Sequence, residues 1–245
     1  MSLDALARSC PIGAEFRQIH AYEAEIDLVA VRSSKAFTRV FQFKVVALHG
    51  NIVVSERPVG NTLPACCPER HINMDGSFCI GLRAGEGISE ETAPAWWRKL
   101  QAFALWQETA AEVGFWPREA QLSHGDAGDV ELAAERAAAE IGLRDDYREA
   151  VAFDTGLVAA GVRKVNAETG LIRNGRNACV CGRTDRRGRP LLRRDCHADG
   201  LGCPIVLEHR RRVMIDEYWQ ALRGHVVCCG TMHECPLRDG RQLYR

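Results

Sequence analysis

The chain has 245 residues, of which 46% are hydrophobic and 26% charged, a composition typical of globular proteins and not of disordered or fibrous ones. Its 32 basic and 32 acidic residues cancel, so no overall field favours binding to nucleic acid or to an anionic membrane. The first eight residues lack a signal-peptide pattern, and no apolar run approaches the ~20 residues of a membrane-spanning helix. These features predict a globular cytoplasmic protein without membrane contact.

The elements predicted in the first third of the chain form an antiparallel meander. Residues 3–20 give only a short helix signal, which ends at Pro11. Apolar and polar residues then alternate from Glu23 to Ala30 and again from Thr38 to Leu48, which is typical of half-buried strands. A turn at residues 49–51 leads into a third apolar run, Ile52 to Val54.

A long loop and a strong helix follow the meander. Residues 55–87 lack periodicity and are rich in proline and glycine, so a loop of this length is expected to be functional. Apolar residues then recur every three or four positions from Trp96 to Val113, with Thr92 as a candidate N-cap and Gly114 as the C-cap. The tryptophans of this helix are predicted to pack in the core and not to form a binding site.

The rest of the chain is predicted to form a second, smaller domain. An alanine-rich helix spans about residues 129–141, a weaker one lies near residues 147–153, and a short amphipathic helix precedes Gly224. We place the first domain at residues 1–142 and the second at residues 143–245.

One cysteine stands out in the long loop. A polar turn from Asn73 to Ser77 precedes Cys79, which lies between Phe78 and Ile80. A lone cysteine between apolar residues is usually a small buried hydrophobe. At the end of a tight polar turn, however, it is presented as a single thiol, and we interpret Cys79 as a nucleophile.

The stretch from Asn73 to Ile80, after three strands and before a tryptophan-rich helix, resembles the active-site segment of ubiquitin-conjugating enzymes, in particular a divergent bacterial branch. The resemblance covers about residues 1–142 and implies an α+β fold, with an antiparallel meander packed on helices. It implies that Cys79 accepts a ubiquitin-like protein as a thioester from an activating-enzyme homologue and transfers it to an amine of a protein substrate. For the bacterial branch it also suggests a setting in antiviral defence.

Two positions depart from or qualify this resemblance. The family usually has His-Pro-Asn ahead of the cysteine, with the Asn supporting an oxyanion, whereas this chain has Glu69, Arg70 and His71 in register. His71 can donate a hydrogen bond to an oxyanion or accept the proton of an attacking amine, or it can serve the structure of the loop. Asp75 can orient the amine, although an aspartate before a glycine is more often a turn residue.

Seven of the eleven cysteines fall in the last 67 residues, and without a signal peptide this clustering favours metal ligands over disulfides. The spacing predicts a structural, zinc-stabilised domain with one or two zinc ions, which chelation would unfold, and many four-ligand partitions, including some with His209 or His225, remain open. The predicted ligands are Cys179, Cys181, Cys196, His197, Cys203, Cys228, Cys229, His233 and Cys235.

Two functions from different classes follow. The first is the transferase described above, with a ubiquitin-like protein, an activating-enzyme homologue and a protein substrate as partners. The alternative is a catalytically silent adaptor that retains the fold and the zinc domain. A third possibility, a zinc-dependent nucleic-acid-binding protein, is supported only by the cysteine-rich tail. The basic run from Arg183 to Arg194 is expected to be a solvated face because it lacks interleaved aromatic residues.

Overall fold

A computed structural model describes residues 2–32, 36–180, 182–195 and 202–238. The chain forms two compact units, the first comprising residues 1–120 and 223–245 and the second residues 121–222. The strands are β1 (Ala14–His20), β2 (Glu23–Leu28), β3 (Phe41–Leu48) and β4 (Asn51–Glu56). The helices are α1 (Ser2–Arg8), α2 (Ala93–Val113), α3 (Ala127–Glu140), α4 (Arg144–Phe153), α5 (Gly156–Val162) and α6 (Pro204–Leu222).

The first unit contains an antiparallel sheet in which the strands are ordered β1-β2-β3-β4. Alternation along β2 buries Ala24, Ile26 and Leu28, as predicted, and Ile26 lies opposite Phe43 of β3. The predicted α+β class, an antiparallel meander packed on helices, is confirmed. Sequence patterns missed β1 because it is an edge strand whose residues are mostly exposed, so it carries no apolar alternation.

Helix α2 packs into the core of the first unit through its aromatic residues. Trp96, Trp97 and Phe103 are all buried, and the indole Nε1 of Trp97 donates to the Leu6 carbonyl at 3.0 Å. Gly114 ends the helix in the left-handed conformation, and its amide donates to the Ala110 carbonyl, as the sequence predicted. Trp97 therefore joins α2 to α1.

The C-terminal segment, residues 223–238, groups with the first unit in the structure. Met232 and Cys235 are each 1% exposed within the first core, and the amide of His233 donates to the Gly114 carbonyl at 2.8 Å. The division between residues 142 and 143 that the sequence suggested stays a prediction. The apolar residues of the segment need a core to bury them, and the end of α2 provides it.

The second unit is helical around its own core. Small residues such as Ala134 and Ala138 of α3 are completely buried, so α3 can approach α6 closely. Helix α6 begins at Pro204, ten residues before the predicted helix near Met214. The sequence pattern missed these first turns because they are buried on several sides and show no amphipathic period. Helix α5 was not predicted, since residues 154–177 show no clear period, and its Gly161 lies so close to Ile205 that a Cβ would clash with the isoleucine side chain.

Within the described residues, no helix is both long enough and apolar enough to cross a membrane.

Candidate active site

The loop that carries Cys79 forms a short hairpin that is hydrogen-bonded to the sheet. Ile72 pairs with Phe78, and within the turn the amide of Asn73 donates to the Ser77 carbonyl at 2.8 Å. The amide of Phe78 donates to the Val54 carbonyl of β4, also at 2.8 Å. Gly76 has a φ of 77°, and a Cβ at this position would lie 2.7 Å from the side chain of Val59, so the turn requires glycine.

Asp75 serves this turn with its side chain. Its carboxylate accepts from the Ser77 amide at 2.9 Å and from the Ser77 hydroxyl at 2.6 Å. These hydrogen bonds from Ser77 hold the pKa of Asp75 below its ordinary value, so the group is ionised at neutral pH. In this structure Asp75 therefore stabilises the hairpin, as the structural interpretation of its sequence position expected.

Phe78 anchors the residue before the nucleophile to both layers of the unit. Its ring lies edge-on to Phe43 of β3, with centroids 5.7 Å apart, and 4.8 Å from the ring of Phe103 on α2. Ile80, on the other side of Cys79, is buried as well. Two buried neighbours leave the intervening Cys79 side chain at the boundary of the core, where it is half-buried.

The surroundings of Cys79 hold it mainly as a thiol. Burial raises the pKa of Cys79, while the Gly81 amide and the charge of Lys99 lower it in part. Lys99 lies on α2, and its side chain covers Gly81, whose hypothetical Cβ would be 3.5 Å from Nζ. Sequence reasoning missed Lys99 because only the packing of α2 brings this lysine to the loop.

His71, the residue in the register of the family's asparagine, is 2% exposed. Its imidazole packs on Trp116 with ring centroids 5.1 Å apart, and its backbone lies in the left-handed region with a φ of 56°. The His71 carbonyl accepts a hydrogen bond from the Cys79 amide at 2.9 Å. The structure therefore ties His71 to Cys79 through the backbone.

Arg70 locks this part of the loop onto α2, which the sequence did not indicate. Its Nε donates to Oε1 of Gln107 at 2.8 Å, and Nη2 donates to the Gln107 carbonyl at 2.9 Å. In return, Nε2 of Gln107 donates to the Arg70 carbonyl at 2.6 Å. Nη1 of Arg70 also reaches the hydroxyl of Thr231 in the C-terminal segment, at 3.4 Å. One buried guanidinium thus joins the loop, α2 and the segment.

The predicted metal ligands are divided between the two units. Cys179 and Cys203 are buried in the second unit, whereas Cys228, Cys229, His233 and Cys235 lie in the first. Cys181, Cys196 and His197 lie outside the described residues. Among residues 2–32, 36–180, 182–195 and 202–238, no three or more Cys, His, Asp or Glu side chains gather in a way that could hold a metal ion.

The ligands predicted in the C-terminal segment make other contacts. The imidazole of His233 packs on Gly114 and lies 5.1 Å from the ring of Phe115. The thiol of Cys229 faces Cys67 with the sulfur atoms 2.8 Å apart, and the thiol of Cys228 interacts with that of Cys235. Near-contact cysteines of this kind are compatible with metal binding, and zinc coordination by this segment stays a prediction.

Family models match two successive parts of the chain. Residues 16–118 match the prokaryotic E2 domain, and residues 123–237 match the cysteine-rich domain that lies C-terminal to the E2 domain. No curated protein and no solved structure matches the chain. The first match covers the sheet, the Cys79 hairpin and α2, and the two together confirm the resemblance to the bacterial branch.

Proposed function

The chain consists of a prokaryotic E2 domain joined to the cysteine-rich domain that accompanies it, and on this basis we propose that it is a ubiquitin-like protein transferase with Cys79 as its acyl carrier. The observation that carries the proposal is the half-buried Cys79 thiol at the end of a glycine-dependent hairpin, in the position that the resemblance assigns to the nucleophile. The E2 match supports a conjugating function, and the thioester is our further step.

In the first step, the Cys79 thiolate attacks the carbonyl carbon of the thioester on an activating enzyme. A new carbon–sulfur bond forms, the old one breaks, and the activating enzyme regains its thiol. Burial keeps the pKa of Cys79 raised, while the charge of Lys99 favours the attacking thiolate, and the proton that Cys79 loses passes to the departing thiolate of the activating enzyme. A free protein with this site is therefore slow to react with adventitious electrophiles.

In the second step, an amine of a protein substrate, most simply a lysine, attacks the carbonyl carbon of the Cys79 thioester. An amide forms, the amine loses a proton, and the Cys79 thiolate leaves. His71 and Asp75 act as positioning residues in this proposal, because the first reaches Cys79 through its carbonyl and the second holds the turn through Ser77.

The partners of such a reaction are a ubiquitin-like protein, an activating-enzyme homologue and a protein substrate. We place the reaction in the cytoplasm, where ATP drives the activating step, and we keep antiviral defence as the proposed setting that the resemblance to the bacterial branch suggests. The alternative function, a catalytically silent adaptor, would be favoured if the charging experiment below gave no adduct.

A structural zinc ion is proposed for the second unit only. Cys179 and Cys203 are both buried there, and thiolates from separate segments suit a tetrahedral zinc site. The remaining ligands would come from Cys181, Cys196 and His197, which lie outside the described residues. When bound, the ion would supply stability and no chemistry to the transfer. Metal analysis of the full chain should give one equivalent, which Cys203→Ser should lose and Cys229→Ser should keep.

The charging experiment mixes the full-length protein with a bacterial ubiquitin-like protein, its activating enzyme and ATP, followed by a non-reducing gel. We expect an adduct that a thiol reductant removes, that Cys79→Ala abolishes and that the control Cys66→Ala retains. If the activating enzyme charges itself but the wild-type protein forms no adduct, the transferase proposal fails.

A second measurement tests the positioning role of His71. We expect His71→Ala to lower the thermal midpoint of the first unit and to slow charging and discharge together, because the whole hairpin loosens. Normal charging with a selective loss of discharge to free lysine would instead assign His71 a direct role in the second step.

A further inference from the structure

Two thiols on the first unit lie close together although neither belongs to the Cys79 hairpin itself. Cys67 precedes the short 3-10 helix Pro68–Arg70, and Cys229 lies 162 positions later in the C-terminal segment. Their sulfur atoms are 2.8 Å apart. This distance is shorter than the ~3.5–4 Å of ordinary non-bonded contacts and approaches the ~2 Å of a disulfide bond.

The two thiols differ in access. Cys67 is 1% exposed, whereas Cys229 is half-buried and can meet a small solute. The Thr231 hydroxyl lies 3.0 Å from the Cys229 sulfur, and the buried guanidinium of Arg70 contacts Thr231 in turn. Of the two sulfur atoms, that of Cys229 is therefore the one that an oxidant in solution can reach.

The neighbouring cysteine, Cys228, has a different partner. Its sulfur accepts from the Gly230 amide at 3.4 Å and interacts with the thiol of Cys235. The adjacent residues Cys228 and Cys229 therefore contact different partner thiols.

We propose that Cys67 and Cys229 form a peroxide-oxidised thiol–disulfide site that fastens the C-terminal segment to the base of the Cys79 hairpin. Neither the E2 function nor the cysteine-rich match assigns such a site. The position matters because Cys67 pairs with Ile72, and Ile72 pairs with Phe78 beside the nucleophile. A covalent bond at Cys67 therefore joins the segment directly to the strand pairs that support Cys79.

The reaction balances with hydrogen peroxide as the oxidant. The Cys229 thiolate attacks one peroxide oxygen, a sulfur–oxygen bond forms, and the oxygen–oxygen bond breaks to release hydroxide, which is protonated to water. The Cys67 sulfur then attacks the Cys229 sulfenic acid, the sulfur–sulfur bond forms, and the departing hydroxide takes the Cys67 proton as a second water. Two thiols lose two electrons, and one peroxide gains them.

The test treats the full-length protein with hydrogen peroxide, blocks the remaining thiols with iodoacetamide and digests it with trypsin without reductant. Residues 45–70 and 224–238 should appear as one linked peptide that is two hydrogens lighter than the sum of its parts and separates on reduction. Because each peptide contains several cysteines, variants identify the pair. The linked peptide should be lost in Cys229→Ser and Cys67→Ser and should form at wild-type yield in Cys66→Ser and Cys228→Ser.

Cys229→Ser is the decisive variant for the disulfide. The Cys229 side chain is half-buried, so its replacement leaves the core intact, whereas Cys67→Ser alters a buried position. Circular dichroism of each variant checks the fold. The proposal is overturned if the wild-type protein shows no linked peptide under conditions that oxidise Cys229, or if the link persists in Cys229→Ser. It is also overturned if untreated protein contains a zinc equivalent that Cys229→Ser loses. No activating enzyme is needed, so the result is independent of Cys79 charging.

Discussion

The interaction between Arg70 and Gln107 offers the sharpest test of how the fold supports the Cys79 hairpin. Both side chains are at most 2% exposed, and they exchange hydrogen bonds in both directions between the loop and α2. The substitution Gln107→Leu keeps a similar volume but removes the acceptor of the Arg70 Nε and the donor to the Arg70 carbonyl. Two polar groups are then buried without these partners.

The expected cost follows from those two groups. A buried polar group left unsatisfied costs about 1–3 kcal/mol, and one that carries a charge lies at the upper end of this range. Because Nη2 of Arg70 keeps the Gln107 carbonyl as its acceptor, the guanidinium loses only part of its hydrogen bonds to residue 107. We therefore expect Gln107→Leu to lower the free energy of unfolding by about 3–5 kcal/mol, a large share of the ~5–15 kcal/mol of a typical domain.

Urea denaturation followed by tryptophan fluorescence measures this change, and Gln101→Leu on the same helix is the matched control, for which we expect about 0.5 kcal/mol or less. Iodoacetamide labelling of the Cys79 peptide gives a second readout. It should be faster in Gln107→Leu, because the His71 carbonyl that accepts from the Cys79 amide adjoins Arg70 and a looser hairpin exposes the thiol. A loss of stability below about 0.5 kcal/mol would refute the reasoning.

Two further predictions concern the second unit. Glu208 is completely buried and forms a bidentate ion pair with Arg211 at 2.6 and 2.7 Å. Glu208→Ala should cost about 3–5 kcal/mol because it leaves the buried Arg211 with only the more distant carboxylate of Glu131, 4.0 Å away, while exposed Glu217→Ala should change little in the same urea titration. His124 stacks on Tyr218, and burial lowers its pKa to about 4, so its stabilisation is complete above the unfolded pKa near 6.5 and is lost as the pH falls towards 4. The expected loss is about 3 kcal/mol over this range, and His124→Gln should flatten the stability profile between pH 6.5 and 4; an unchanged slope would contradict the assignment.

Local patterns were sufficient for the elements whose burial is one-sided. Alternation along residues 23–28 and 41–48 placed two strands, and the three- and four-residue recurrence of apolar residues from Trp96 to Val113 placed α2 with its C-terminal Gly114. The patterns failed where burial is absent, as along β1, or nearly uniform, as in the first turns of α6. Periodicity reports a difference between two faces, and these elements show little difference.

The sequence by itself also indicated the candidate nucleophile, because the stretch from Asn73 to Ile80 around Cys79 resembles the active-site segment of ubiquitin-conjugating enzymes. Only the tertiary structure decided what surrounds it: Lys99 over Gly81, Arg70 locked by Gln107, and Cys67 facing Cys229. Spacing restricts neighbours along a chain, but it cannot choose among many cysteine partners separated by more than a hundred residues. That choice depends on which core buries the apolar side chains of the C-terminal segment. The side chains of Met232 and Cys235 are buried in the core of the first unit.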